Sequence, residues 1–133
     1  MQMQTLEDYI RAVYILELRH NEVKSKELAD YLKVKKPSVS EMARKLKNAG
    51  LLNYERYSTL SLTGKGRVLA EKLTFKHRVI ESFLANMLKR DKDAVHHEAH
   101  MLEHAFSDES VNAIYVMLGK PKVGIHGEDI PKI

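Results

Sequence analysis

The stretch "KKPSVSEMARKLKNAG", from Lys35 to Gly50, has the pattern of a short amphipathic helix with a strongly basic outer face. Pro37 suits the first helical turn, where its missing N–H would have no partner inside the helix. Gly50 suits the position just after the helix, where a left-handed backbone conformation is common. The apolar residues recur every three or four positions, as one face of a helix requires: Val39, Met42, Ala43 and Leu46.

The segments on either side of this helix predict a small domain around it. "TLEDYIRAVYILEL" (5–18) predicts an amphipathic helix in which Thr5 and Asp8 form a capping box. "KELADYLKV" (26–34) predicts a second helix capped by Ser25. "LLNYERYSTLSLT" (51–63) predicts two strands joined by a polar turn. Three helices followed by a two-stranded ribbon indicate a winged helix-turn-helix.

The second half of the chain is helical by the same criteria. Residues 64–88 predict one long helix, 91–106 a second, and 107–118 a third that Ser107 caps. The tail 119–133 contains Gly and Pro without a helical period and is expected to be extended. The predicted fold is therefore mainly α, with a winged helix-turn-helix domain over residues 1–63 followed by an all-α domain over residues 64–133.

Composition and charge limit the classes of function. The 133-residue chain has a net charge of +4 and no cysteine, so disulfides and thiolate-bound metals are excluded. It has no apolar run of the roughly 20 residues that a membrane span needs, and no secretory signal pattern at its N-terminus. We therefore expect a cytoplasmic protein without a membrane segment. Basic residues concentrate in 33–47 and acidic residues in 91–109, which suggests two different tasks.

The basic helix predicts contact with double-stranded DNA. In a helix-turn-helix, the N-terminal residues of the second helix reach base edges in the major groove. The alternative is an ordinary solvated basic face, but the order of helices, basic helix and ribbon favours DNA binding. Candidates for base contact are Lys35, Pro37, Ser38 and Glu41; candidates for phosphate contact are Lys36, Ser40, Arg44 and Lys47; Arg56, Tyr57 and Ser58 occupy the tip of the ribbon.

The stretch "VHHEAHMLEH" (95–104) concentrates four of the seven histidines of the chain. At about 100° per residue, four residues fall within an arc of roughly 100° on one helical face: His96, His100, Glu103 and His104. A separate apolar stripe consists of Val95, Ala99, Leu102 and Phe106, whereas His97 lies at the edge and is expected to be a surface residue. This sorting of side chains predicts a face that binds a metal ion, and the alternative is a polar helix face rich in histidine.

Three further residues could supply metal ligands. His77 and Glu81 are spaced i, i+4 on the long helix and can point to one partner, or they can form an exposed ion pair. Asp8, on the first helix, is a third source of oxygen, although its carboxylate has an alternative role as a helix cap.

A zinc peptidase is a rival interpretation of "HMLEH" (100–104), which matches the H-x-x-E-H pattern of inverted zinc peptidases. Such an enzyme needs a further ligand and a substrate cleft after this motif. Only Glu109 and Glu128 follow His104 as glutamates, so we expect that the protein is not an enzyme.

Taken together, these segments resemble the diphtheria toxin repressor family of metal-dependent transcriptional regulators, which includes the manganese transport regulators. The similarity covers nearly the whole chain and shows in "TLEDYIRAVYILE", "KKPSVSEMARKLKNAGLL", "LTGKGRVLAEKL", "KHRVIESFL", "VHHEAHMLEHAFSDE" and "GIHGEDIP". The resemblance implies a homodimer formed by the C-terminal helices and a divalent metal that acts as co-repressor. Many members carry a third, small β-barrel domain after the position of "GIHGEDIP".

The resemblance also implies ligands and DNA contacts. A primary metal site would use Asp8, His100, Glu103 and His104, and an ancillary site would use His77, Glu81 and His96. The base-reading positions of the family fall on Pro37, Ser38 and Glu41.

Two departures bear on the metal. His100 stands where iron-type members usually have Cys and manganese-type members usually have Glu. Arg11 replaces a carboxylate of the manganese type, whereas His96 matches the iron type. Fe2+ is therefore favoured over Mn2+, and the affinity order of divalent metals indicates that Co2+, Ni2+ or Zn2+ would also bind in vitro.

The sequence thus predicts a metal-activated repressor that binds palindromic operator DNA as a dimer and controls metal-uptake genes. A winged-helix regulator that responds to an organic ligand is the alternative outside metal sensing, since it would share the N-terminal domain.

Overall fold

The structure, a computed structural model, describes residues 5–20, 22–55 and 59–133 and divides the chain into two compact units, Met1–Glu71 and Lys72–Ile133. The prediction of a mainly α fold is confirmed, whereas the expected domain boundary after residue 63 stays a prediction. The elements in chain order are α1 (Leu6–Arg19), α2 (Ser25–Leu32), α3 (Lys36–Asn48), β1 (Leu52–Asn53), β2 (Ser61–Leu62), α4 (Gly64–Ser82), a π-helical turn (Phe83–Met87), α5 (His96–Ala105) and α6 (Asp108–Met117).

Both helix caps predicted for the N-terminal unit can be compared with the structure. The capping box of α1 is present, because Thr5 Oγ1 accepts from the backbone N–H of Asp8 and Asp8 Oδ2 accepts from the N–H of Thr5. The expected cap on α2 is wrong. Ser25 is already the first helical residue, and Lys24 occupies the cap position without a side-chain hydrogen bond. The helix starts one residue earlier than its serine suggested.

Helix α3 packs its predicted apolar stripe into the core of the N-terminal unit. Val39, Ala43 and Leu46 are buried against residues of α1 and α2, and Pro37 lies in the first turn as predicted. The chain leaves α3 through Gly50, which has a φ of 76°, a left-handed conformation that favours glycine. The basic side chains of α3 are consequently left on the solvent side of the helix.

The predicted ribbon is present as two short antiparallel strands, in which Leu52 pairs with Leu62 and Asn53 with Ser61. Its outer strand is anchored to α1 by Glu17. One carboxylate oxygen of Glu17 accepts from the N–H of Leu62 at 2.8 Å, and the other pairs with Arg67 of α4 at 2.7 Å. The tip residues Arg56, Tyr57 and Ser58 lie outside the described residues.

The C-terminal unit has its own apolar core. Its members come from α4, the π-helical turn, α5, α6 and the tail: Phe75, Val79, Ile80, Leu84, Val95, Ala99, Val111 and Ile130. The predicted cap on α6 is confirmed, since Ser107 Oγ accepts from the N–H of Ser110. Helix α5 begins at His96 rather than near residue 91 because the Asp91 carboxylate accepts from the N–H of Asp93, which favours a turn.

The tail contains more structure than the expected extended chain. Val123 and Asp129 form an isolated antiparallel bridge, and between them the chain reverses through Gly127, which has a φ of 82°. The N–H of Gly124 donates to the carbonyl of Glu128 at 2.7 Å. We call residues 123–129 the tail loop. Across the described part of the chain, no helix combines the length and apolar character that a membrane span requires.

Candidate metal centre and nucleic-acid interface

Helix α4 carries two ionisable side chains into the C-terminal unit, one turn apart. His77 is 6% exposed and Glu81 is 5% exposed, and they flank the fully buried Val79 and Ile80. Nε2 of His77 lies 3.4 Å from Oε1 of Glu81. The i, i+4 spacing thus brings both groups to one partner, as the sequence predicted, but the pair is buried rather than exposed. A buried carboxylate needs compensating donors, which nearby imidazoles can supply.

His96, the first residue of α5, adds a second imidazole to this pair. Its Nδ1 lies 3.1 Å from Nε2 of His77 and 3.4 Å from Oε2 of Glu81. Each of the three residues offers one ligand atom, and these atoms all lie within 4.8 Å of one another. We call His77, Glu81 and His96 the α4–α5 cluster. The structure brings these three predicted residues together, while their role as ligands stays a prediction.

The electrostatics of the α4–α5 cluster favour an ionised carboxylate. Burial alone raises the pKa of Glu81, but hydrogen bonds from His77 and His96, together with their charges, outweigh burial and lower that pKa to about 2. Divalent cations bind ionised carboxylates and neutral imidazoles, so a metal ion would take the place of the protons on the two histidines. One buried anion and two nitrogen donors therefore fit a divalent metal by charge and by ligand type.

His126, in the tail loop, is a neighbour of this cluster that the sequence interpretation missed. Its Nε2 lies 3.9 Å from Oε2 of Glu81, and its side chain is 41% exposed. The residue follows no helical period, so spacing could not connect it with α4. Its position in "GIHGEDIP", one of the segments that carried the family resemblance, was the available signal.

A second group lies further along α5, and we call it the α5 set: His100, Glu103 and His104. Nδ1 of His100 lies 3.2 Å from Oε1 of Glu103, and the rings of His100 and His104 are 5.3 Å apart at 86°. Glu103 is only 2% exposed, whereas His104 is exposed. Helix α5 therefore places Glu103 among buried residues and leaves His104 open to solvent.

The other polar residues of α5 have different surroundings. His97 is exposed, as expected for a surface residue, and Glu98 pairs with Arg90 at 2.7 Å. In the predicted apolar stripe, Val95 and Ala99 are fully inaccessible, and Leu102 and Phe106 are partly buried against the core of the unit.

Asp8 belongs to the N-terminal unit, where it is 6% exposed and forms the capping box of α1. The cap uses Asp8 Oδ2. The capping role is thus present, and the role as a metal ligand stays a prediction.

The candidate DNA contacts of α3 are presented to solvent, with one exception. Ser40 is half-buried and its Oγ lies 3.4 Å from the hydroxyl of Tyr54, while Glu41 forms an exposed i, i+4 pair with Lys45 at 3.7 Å. Burial raises the pKa of Tyr9 on α1, and the charge of Glu41 adds to that rise. The exposed candidates are Lys35, Lys36, Pro37, Ser38, Glu41, Arg44 and Lys47.

Family models match both halves of the chain. Residues 1–60 match the N-terminal DNA-binding domain of iron-dependent repressors, and residues 63–132 match their metal-binding and dimerisation domain. Each model matches about half of the chain, and together the two cover nearly all of it. The chain belongs to the diphtheria toxin repressor family of metal-dependent transcriptional regulators.

Particular relatives agree with this assignment. The chain is 38% identical over 120 residues to an HTH-type transcriptional regulator of Methanocaldococcus jannaschii, covering 90% of this chain and 96% of the relative. It is 32% identical over 114 residues to the transcriptional regulator MntR of Lysinibacillus sphaericus, covering 86% and 81%. A manganese-dependent transcriptional repressor solved in complex with manganese superimposes with a TM-score of 0.88 at 35% identity, over 96% of this chain.

The chain spans 59% of the length of that solved repressor. The family consists of transcriptional regulators rather than enzymes, and neither the peptidase interpretation nor the organic-ligand interpretation is favoured.

Proposed function

We propose that this protein is a metal-activated transcriptional repressor that binds palindromic operator DNA as a homodimer in the cytoplasm and controls metal-uptake genes. The observation that carries the proposal is the α4–α5 cluster, in which three potential ligand atoms lie within 4.8 Å of one another around a buried carboxylate. The same chain has a winged helix-turn-helix with an exposed basic α3. A sensor of metal that acts on DNA needs both parts.

The proposal assigns two groups of metal ligands. His77, Glu81 and His96 would hold one divalent ion, and His126 is near enough to Glu81 to be a further donor. The α5 set, with Asp8 of α1, would hold the other, as the family resemblance implies. A bound divalent cation supplies positive charge that can link carboxylates and imidazoles from different helices. The contribution of the protein is to keep these groups ionised or neutral as binding requires.

The regulatory mechanism follows from where the ligands are in the sequence. Asp8 is in the N-terminal unit, whereas His100, Glu103 and His104 are in the C-terminal unit. If ligands from both units bind one ion, the DNA-binding unit loses freedom relative to the other. Metal then favours the arrangement that binds DNA, and by linkage DNA must raise the affinity for metal by the same factor.

The choice of metal rests on the ligand types. Nitrogen and oxygen donors without thiolate suit Fe2+ and Mn2+, and we propose Fe2+ as the physiological ion. His96 supports this choice because it completes the α4–α5 cluster, and Arg11 supports it because it stands where a manganese-type carboxylate is expected. Co2+, Ni2+ or Zn2+ should substitute in vitro.

Dimerisation is assigned to the C-terminal helical unit. Apolar side chains that are about half exposed occur on both of its last helices, namely Met101 on α5 and Val116 and Met117 on α6. Exposed apolar residues grouped on neighbouring elements are typical of a protein interface. A two-fold dimer would read half-sites about one helical turn of DNA apart, or a multiple of that distance.

DNA recognition is assigned to α3 and the ribbon. Lys35, Pro37, Ser38 and Glu41 lie at the N-terminal end of α3 or just before it, which is the part of a recognition helix that reaches base edges. We assign phosphate contacts to Lys36, Ser40, Arg44 and Lys47. We also assign DNA contacts to Arg56 and Ser58, which the sequence predicts at the tip of the ribbon.

The decisive experiment measures binding to an operator fragment selected from random-sequence DNA, with Fe2+, with Mn2+ and with a chelator. We expect metal to tighten specific binding and His104→Ala to abolish that effect while leaving weak, salt-sensitive binding intact. His97→Ala is the matched control, because His97 is an exposed histidine on the same helix and no ligand role is assigned to it. Equal affinity with and without metal in the unmodified protein would refute the proposal.

A further inference from the structure

Glu103 connects the two groups of candidate ligands. Its Oε1 lies 3.2 Å from Nδ1 of His100 within the α5 set and 3.1 Å from Nδ1 of His77 in the α4–α5 cluster. Both residues of the contact between Glu103 and His77 are nearly inaccessible to solvent, since Glu103 is 2% exposed and His77 is 6% exposed. Water therefore competes little for this contact. The carboxylate of Glu103, a member of the α5 set, thus contacts a residue of the α4–α5 cluster directly.

The contact fixes which nitrogen of His77 faces which neighbour. A carboxylate oxygen accepts hydrogen bonds, so Nδ1 of His77 is the donor to Glu103 in the tautomer that carries its proton on Nδ1. Nε2 is then directed at the remaining members of the cluster, 3.1 Å from Nδ1 of His96 and 3.4 Å from Oε1 of Glu81. A histidine that binds metal through one nitrogen commonly donates its other N–H to a carboxylate, which sets the tautomer and the ring orientation.

We propose that Glu103 is the positioning residue for His77, so that one residue of the α5 set determines the metal affinity of the α4–α5 cluster. This inference rests on the proposed metal-binding function and adds a dependence between the two groups. The contacts of Glu103 with His100 and with His77 both use Oε1. A single buried carboxylate can thus serve its own group and hold a ligand of the other.

Loss of such an orienting partner commonly reduces metal affinity by about 10- to 100-fold. Removal of Glu103 should therefore weaken the α4–α5 cluster by that factor, although Glu103 is not assigned to it. Removal of His104 should affect the cluster less than removal of Glu103, because His104 is not one of the three grouped ligands and its ring lies against that of His100, whereas Glu103 contacts His77 directly.

The experiment compares Co2+ affinity, followed by visible absorption and calorimetry, in Glu103→Ala, Glu103→Gln and His104→Ala proteins. Each variant lacks one ligand of the α5 set, so the three proteins are matched in the number of α5 ligands that they have lost. Adding His96→Ala to each background identifies the signal from that cluster. We expect Glu103→Ala to bind about 10- to 100-fold more weakly than His104→Ala. The Co2+ affinity of the Glu103→Gln protein should stay near that of the His104→Ala protein, because the amide oxygen of glutamine can still accept from His77.

A measurement on the unmodified protein provides a test that does not depend on the folding of a variant. In Zn2+-loaded protein, nitrogen NMR should show His77 protonated at Nδ1 and metal-bound at Nε2. Metal at Nδ1, or equal Co2+ affinities in folded Glu103→Ala and His104→Ala, would overturn the positioning role and leave the proposed function standing. Unmodified protein that binds neither Co2+ nor Zn2+ would overturn the proposed function as well.

Discussion

The guanidinium of Arg78, on α4, donates to the carboxylate of Glu128 in the tail loop at 2.5 Å, and it also donates to the backbone carbonyl of Asp129. Arg78 is only 8% exposed, and it precedes Glu81 by three positions on the same helix. One face of α4 therefore contacts the tail loop twice, through Arg78 and through the approach of Glu81 to His126. The ion pair stabilises the part of the chain that carries His126.

Replacing Arg78 with methionine should loosen the tail loop, because methionine keeps most of the length of the side chain but donates no hydrogen bond. Hydrogen bonds to charged groups contribute roughly 1.5–3 kcal/mol each, so the free energy of unfolding should fall by about 1–3 kcal/mol. The backbone N–H of Gly124, which donates to Glu128, should exchange with deuterium faster. Denaturant unfolding and hydrogen exchange measure these two effects.

The matched control is Arg90→Met, which removes the exposed ion pair between Arg90 and Glu98. Exposed pairs contribute only about 0–1 kcal/mol, so this variant should unfold nearly like the unmodified protein. Equal effects of the two substitutions would show that Arg78 does not hold the tail loop.

Gly66 marks a close backbone approach at the start of α4. A Cβ atom at this position would lie 2.0 Å from the carbonyl oxygen of Leu51, a backbone atom that cannot rotate away. Gly66→Ala should therefore lower the free energy of unfolding by about 3 kcal/mol or more, as overpacking does where the neighbour is rigid. Chemical denaturation of the purified protein measures this loss.

Gly64→Ala, two residues earlier, is the control for that substitution. A Cβ there meets nothing within 4 Å, and alanine favours the helical conformation. Stability should be unchanged or rise by up to about 1 kcal/mol. A similar loss at both positions would contradict the steric explanation.

Local patterns predicted those features of the fold that depend on neighbours in sequence. The capping box of α1, Pro37 in the first turn of α3 and the cap of α6 were all predicted, because each involves residues within four positions. The start of α5 was placed too early, because residues 91–95 contain no glycine or proline to mark a break before the helix. The turn around Asp91 is favoured by a hydrogen bond that the period does not reveal.

In the candidate site, too, contacts between neighbours in sequence were predicted and contacts between distant segments were not. His77 and Glu81 were paired from their spacing on one helix. The approach of His126 to Glu81 was not predicted, because it depends on the reversal of the tail loop and on the contact with Arg78. A helical wheel placed Glu103 among the ligands but could not show that it is buried beside His77, which follows only from the packing of α5 on α4.

Asp108 should make stability depend on acid pH. It accepts from Lys72 at 2.6 Å and lies 3.4 Å from Lys76, and the hydrogen bond from Lys72 is the main reason that its pKa is lowered from 3.8. A carboxyl whose folded pKa is depressed stabilises the fold fully above its unfolded pKa. That contribution is lost as the pH falls below 3.8 through the lower folded pKa.

Comparison with Asp108→Asn isolates this contribution. At pH 6 the unmodified protein should be more stable by about 0.2–1 kcal/mol, the usual range for an exposed pair, and the difference should shrink near pH 3. Added salt at pH 6 should reduce it as well, because the pair is exposed to screening. A difference that grows on acidification would have the wrong sign for this ion pair.

Salt dependence should distinguish the residues of α3 that we propose to bind phosphate from those that we propose to read bases. Arg44 and Lys47 are exposed cations, and replacing either with alanine should reduce the slope of log affinity against log salt by about 1. Ser38→Ala should leave that slope unchanged, because serine carries no charge, but it should relax the preference at one base pair by about 1–3 kcal/mol.

Lys92→Ala, which replaces an exposed lysine of the C-terminal unit, is the control and should change neither the salt slope nor the base preference. Fluorescence anisotropy on the selected operator and on single-base variants measures both quantities. A slope that does not change in Arg44→Ala and Lys47→Ala would mean that the basic face of α3 does not contact the DNA backbone.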